Sequence, residues 1–173
     1  MTGPAVGPLG PALVRVRAGE RVLGAGFRVA PDVVAPCAHV VDGAADLVAD
    51  SPLLGTRGHA VEVLEQDEAL DVALLRLAEP PPGALPAPAR ISGDVADHRF
   101  RTVGFPHDVP DGVRVTGRLL GAQGAGLVPM AVDPGLWHVD PGFSGAPVWD
   151  EALAGVVGRR PVRAPSVRAR REG

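Results

Sequence analysis

The chain has 173 residues, 46% of them apolar and 21% charged, an ordinary globular balance that excludes wholesale disorder. Its net charge of −3 divides unevenly: residues 159–173 hold six Arg and one Glu, a tail of +5, while residues 1–158 hold 11 Arg against 19 acids, a body of −8. Phosphate contacts need clustered cations, so the acidic body is a poor nucleic-acid binder and only the tail could bind polyanions.

Glycine and proline are abundant, at 23 and 19 residues. Such punctuation disfavours long helices and favours short strands joined by turns. Lys, Asn and Tyr are missing, a skew expected of a GC-rich coding sequence, and codon bias is an alternative source for some of the glycine and proline. Cys37 is the sole cysteine, which rules out an internal disulfide. Residues 1–11 carry neither a basic segment nor an apolar run, so no signal peptide is expected. No uncharged stretch exceeds 14 residues, and the internal one, Leu119–Val132, is broken by three glycines and a proline and is too short to span a bilayer. The expectation is a cytoplasmic protein without a membrane segment.

Ala12–Ala18 alternates, with Leu13, Arg15 and Arg17 on one face and Val14 and Val16 on the other, the pattern of a half-buried strand. Val22–Val29 follows as its hairpin partner, turned at Ala18–Glu20. Val33–Ala35 is a short buried strand leading to Cys37 and His39. Ala44–Ala49, Ala60–Leu64 and Val72–Leu77 complete six strands. Glu79–Pro88 then holds five prolines, which favour extended geometry and cannot sit inside a sheet. Six more strands are predicted beyond it: Phe100–Gly104, Gly112–Leu120, Gly126–Ala131, Leu136–Val139, Pro147–Trp149 and Leu153–Val157. No ten-residue segment keeps a helical period. The prediction is an all-β protein of two antiparallel six-stranded β-barrels. Residues 1–78 form the first, 79–90 the linker, 91–158 the second and 159–173 the Arg-rich tail.

A serine hydroxyl is a weak nucleophile at neutral pH. It needs a base within hydrogen-bond reach, and that base needs an orienting carboxylate. Ser144 lies in Pro141-Gly142-Phe143-Ser144-Gly145-Ala146-Pro147, where small residues permit a tight turn that presents the side chain. Gly142 and Ser144 can there aim two backbone N–H groups at one point, an oxyanion hole. His39 follows an apolar strand and a small residue. Asp71 opens the apolar run Val72–Leu75, and Asp67 is its rival. Taken singly, each has a plainer reading: a Gly-Pro loop, a packed histidine, a solvated strand-end acid.

Together, Pro36-Cys37-Ala38-His39-Val40-Val41, Asp71-Val72-Ala73-Leu74-Leu75 and Pro141–Val148 resemble the chymotrypsin-like, trypsin-fold serine proteases, whose order is His, Asp, Ser. Gly24–Ala30 and Val103–Pro106 are similar to the strands that precede the site in each barrel. The resemblance covers roughly residues 12–158 and suits a short, loop-trimmed bacterial member. It implies an endopeptidase acting on polypeptide substrates through an acyl-enzyme, with no metal and no cofactor. His39 would be the general base, Asp71 its orienting acid and Ser144 the nucleophile. Gly142 and Ser144 would supply the oxyanion donors. The site would lie in the cleft between the barrels. Small proteases of this kind are often joined to sensor modules or switched by a partner.

The sequence departs from the family at Phe143, at Cys37 and beyond Gly158, and Ala146 stands where a Gly is commonly seen. Phe143 stands where digestive members carry an Asp that pairs with a newly cut N-terminus, so activation by that route is not expected. Cys37 has no disulfide partner and reads as a small buried hydrophobe. His138, six residues before Ser144, could line the primary pocket and favour an acidic substrate side chain, though a packed strand histidine is the plainer reading. Trp137 and Trp149 read as core residues. Beyond Gly158 the expected pocket wall is replaced by the Arg-rich tail. The barrel could close differently, the chain could be truncated or frame-altered, or the tail could be an extension. The alternative function is therefore a catalytically impaired binding or regulatory module on the same fold.

Overall fold

A computed structural model describes residues 7–90, 94–107, 109, 111–121, 128–135 and 141–159. The strands are β1 (Leu13–Ala18), β2 (Arg21–Ala30), β3 (Val33–Pro36), β4 (Leu47–Ser51), β5 (Thr56–Asp67) and β6 (Val72–Leu77), then β7 (Arg99–Gly104), β8 (Val113–Leu119), β9 (Met130–Val132), β10 (Pro147–Asp150) and β11 (Gly155–Arg159). One short helix, α1 (Ala38–Val41), follows β3. The first six strands close into an antiparallel barrel in the order β1-β2-β3-β6-β5-β4, with β4 returning to β1. The other five form a sheet in the order β11-β10-β7-β8-β9. The strand expected at 136–139 lies outside the described residues.

Strand β1 is not half-buried as its alternation predicts. Five of its six residues are buried, Arg15 and Arg17 included. Val14 and Val16 point into the first barrel's core with Val34, Ala49 and Leu75. Leu13 faces the other way and packs with Ala25 against Val103, Phe105, Val113, Val115, Phe143 and Ala146 of the second lobe. Arg15 and Arg17 are held by Asp50, which sits directly across from Arg15 on β4 and is fully buried. The Gly58 N–H also donates to the Asp50 carboxylate. A polar residue on the buried face of a strand is tolerated here because each charge has its partner.

The same pair explains why β4 runs to Ser51, past the Ala49 limit that apolar patterning sets. β5 is twelve residues long because its Glu62, Glu65 and Gln66 face water while its backbone pairs with β6. Apolar patterning sees only its middle, Ala60–Leu64. β11 begins two residues later than expected, at Gly155. The preceding turn is set by Asp150, whose carboxylate accepts the Ala152 and Leu153 N–H groups.

The proline-rich segment crosses between the lobes and bonds to both. Ala87 N–H donates to Arg28 on β2, and Arg90 N–H donates to Val156 on β11. Arg28 is itself fully buried, and among the described residues it has no carboxylate partner. Its guanidinium donates to Ser51 Oγ and to the carbonyls of Pro11 and Pro31. Burial pushes its pKa below the ordinary arginine value. It thus ties β2 and β4 to the segment entering β1. Arg28→Ala is expected to cost about 3 kcal/mol, from a cavity and three abandoned acceptors. Chemical denaturation checks it, and a loss below about 1 kcal/mol would show the clamp to be dispensable.

Candidate active site

His39 sits on α1, and Asp71 at the mouth of β6 supports that short helix from below. The Asp71 backbone carbonyl accepts the Ala38 N–H at 3.1 Å, and its carboxylate accepts the His39 N–H at 2.9 Å. The first N–H groups of a helix lack internal partners, so one residue supplies two of them. Asp71 does this with its backbone at φ 53, a left-handed conformation that Asp tolerates better than most residues. The strand can leave toward Val72 while the carboxylate turns back to the helix.

His39 Nδ1 lies 2.8 Å and 3.0 Å from the two Asp71 oxygens. His39 Nε2 lies 3.2 Å from Ser144 Oγ. The ring is 42% exposed, whereas the Asp71 side chain is 13% exposed. Burial by itself raises the Asp71 pKa. Hydrogen bonds from the His39 N–H, the His39 ring and the Cys37 thiol outweigh it and hold the carboxyl below its ordinary value. The rival, Asp67, instead caps the turn into β6 by accepting the Leu70 N–H.

Ser144 is buried and lies in a turn bolted on two sides. Its carbonyl accepts the Ala25 N–H from β2 at 2.8 Å. The Gly142 carbonyl accepts the Phe105 N–H at 2.9 Å, just beyond β7. Phe143, fully buried between these anchors, packs its ring over Gly104. The turn that carries the serine is thus strapped to both lobes.

Gly145 makes this strapping possible. Its φ is +82°, and a Cβ there would lie 2.1 Å from the Ala25 carbonyl oxygen. Any side chain must strain the backbone and push β2 away. Gly145→Val is expected to cost more than about 3 kcal/mol and to separate Ser144 from His39. Thermal unfolding and serine labelling together check it; a folded variant that labels normally would refute it. Gly24 serves the same approach from β2, where a Cβ would lie 2.6 Å from the Ser144 carbonyl.

The structure therefore brings together His39, Asp71 and Ser144, three residues 32 and 73 positions apart in sequence. His138 and Trp137 lie outside the described residues, as does the tail from Arg160. Trp149 is buried, as expected. Cys37 is also buried, but it does more than fill space, since its thiol meets Asp71. Cys37, His39 and Asp71 are the described residues closest to a metal-ligand cluster, with ligand atoms within 4.8 Å of one another. The His39 nitrogen and the Asp71 oxygens in that group are already engaged with each other.

An all-β fold of two lobes with a Ser–His–Asp chain at their junction defines the class of trypsin-like serine proteases. The family model for the trypsin-like peptidase domain matches residues 24–158, and the chain belongs to that family. It is a hydrolase of polypeptides. Among solved structures, the Rv3671c protease in its inactive form superposes with a TM-score of 0.74 at 22% identity, over 93% of this chain and 82% of that one. The active form of Rv3671c from M. tuberculosis gives 0.70 at 23% identity, over 94% and 74%. The serine endoprotease from Yersinia pestis gives 0.73 at 15% identity, over 95% of this chain and 59% of that one. These likenesses show the two-barrel fold. No curated protein matches by sequence.

Proposed function

We propose that the protein is an endopeptidase working through an acyl-enzyme on Ser144. The chain of hydrogen bonds from Asp71 through His39 to Ser144 carries this reading. Ser144 Oγ attacks the peptide carbonyl while His39 Nε2 takes its proton. The carbonyl becomes a tetrahedral oxyanion, met by the backbone N–H groups of Gly142 and Ser144. Collapse of this intermediate breaks the C–N bond, and His39 returns the proton to the departing amine. Water then repeats the sequence on the acyl-enzyme. Asp71 holds the ring so that Nε2 faces the serine, and it stabilises the imidazolium that forms.

The two halves, 1–78 and 91–158, each contribute a part, with 79–90 as their connection. The single cysteine, which leaves no internal disulfide to form, supports a reducing compartment. Among the described residues, no helix is long and apolar enough to cross a membrane.

A fluorophosphonate probe tests the reading directly. The wild-type protein should form a covalent adduct on Ser144, and Ser144→Ala should form none. A folded wild type that neither labels nor cleaves peptides would sink the proposal.

A further inference from the structure

We propose that Cys37 is a positioning residue for the acid of the triad, its thiol donating a hydrogen bond that fixes the Asp71 carboxylate against His39. The proposal rests on the Ser–His–Asp reading above. Cys37 ends the run from β3 and directly precedes α1, with extended backbone at φ −71 and ψ 146. Its side chain is fully buried. Cys37 Sγ, a ring nitrogen of His39 and an Asp71 oxygen lie within 4.8 Å of one another, and the thiol hydrogen-bonds the carboxylate.

The Asp71 carboxylate has room for about four donors. It receives the His39 backbone N–H, the His39 ring and the Cys37 thiol. Two of these come from the residue it must orient. They move with α1 and cannot serve as an outside reference. The thiol does, because Cys37 is packed into the first barrel's core with Val34, Val40 and Leu75. Through it, the carboxylate is referred to the barrel.

Cysteine suits this position for a physical reason. Its body is apolar enough to sit among valines at little cost, and its S–H still donates. A serine would donate more strongly but bury a more polar group. A valine would fill the space and donate nothing. Those two replacements separate the roles. If the thiol matters as a donor, Cys37→Ser retains activity and Cys37→Val loses it. If it matters only as packing, the order reverses.

The experiment measures kcat, KM and the rate of fluorophosphonate labelling for Cys37→Ser, Cys37→Val and Cys37→Ala, with thermal unfolding of each. Cys37→Ser should keep kcat within about threefold of wild type. Cys37→Val and Cys37→Ala should each lose roughly tenfold in kcat and in labelling rate, with KM unchanged, the worth of one hydrogen bond to a charged group. Should Cys37→Val fail to fold, the contrast between the serine and alanine variants carries the test. Wild-type activity in Cys37→Ala, or a serine variant no better than alanine, overturns the proposal. Wild-type protein that does not label at all would instead overturn the triad reading, and this proposal with it.

Discussion

A His39→Ala variant is expected to turn over a peptide substrate about 10⁵-fold more slowly than the parent protein, with its fold intact. The expectation follows from the geometry at Ser144. The hydroxyl has His39 Nε2 at 3.2 Å as its proton acceptor. Without it, the nucleophile must attack as a neutral alcohol, and triad members fail together rather than in part. Asp71→Asn should cost about 10⁴-fold, because an amide cannot favour the tautomer that leaves Nε2 open to accept. The Ser144→Ala, His39→Ala double variant should be no slower than Ser144→Ala alone. Steady-state kinetics on a peptide substrate, normalised to the concentration of folded protein, supply the check. A histidine variant within tenfold of wild type would mean that His39 is not the base. Multiplicative losses in the double variant would mean that the residues do not act as one unit. The ring is 42% exposed, so its removal leaves no enclosed cavity and the fold should tolerate it.

The largest effect on stability is expected at Asp50. Its carboxylate is fully buried and holds both Arg15 and Arg17. Burial alone raises its pKa, but Arg17, the Gly58 N–H and Arg15 outweigh it and bring it from 3.8 to about 2. Asp50→Ala would leave two buried guanidinium groups without their anion. The loss should be about 3–5 kcal/mol, with a fall in Tm on the order of 10 °C. The pH dependence has a definite sign. The folded pKa lies below the unfolded value, so the carboxylate's contribution is complete above about pH 5. It is lost as pH falls from about 4 to 2, and amounts to about 2 kcal/mol. Asp71 and Asp133 also have lowered pKa values and so also lose stabilisation in acid. The difference between wild type and Asp50→Asn isolates Asp50. Denaturation at several pH values checks it, and a difference constant from pH 6 to pH 2.5 would refute the assignment.

The two effects meet in one strand. β1 carries Arg15 and Arg17 toward Asp50, and Leu13 toward the second lobe. Arg15 also lies over the Phe105 ring, with the guanidinium carbon 5.8 Å from its centre. Phe105 in turn holds the Gly142 carbonyl. A contiguous set of contacts therefore runs from the buried ion pair to the turn carrying Ser144. Asp50 variants should accordingly be assayed for labelling as well as stability.

Residues 72–77 were legible as a strand because an apolar run with one arginine admits little else. The site was legible for another reason. His39, Asp71 and Ser144 each stand in a local setting of small and apolar residues, and their order matches one family. The extents of β4 and β5 were harder to read. Asp50 ends the apolar pattern yet stays in the strand because two arginines from β1 neutralise it. The outward face of β5 is charged, and only pairing with β6 marks it as sheet. Cys37 read as a small hydrophobe, since its neighbours in sequence are Pro36 and Ala38, and Asp71 is 34 residues away.

By itself, the sequence determined that this is an all-β chain with no disulfide, carrying a candidate nucleophile, base and acid in a recognisable order. Periodicity, turn residues and short motifs are local, and local patterns specify elements. Tertiary structure decided the rest. It made Arg15 and Arg17 buried, chose Asp71 over Asp67, and strapped the Ser144 turn to Ala25 and Phe105. It also brought the Cys37 thiol to Asp71. Each of these depends on a partner far along the chain, and a hydrogen bond or ion pair exists only once folding has set the distance between its two ends.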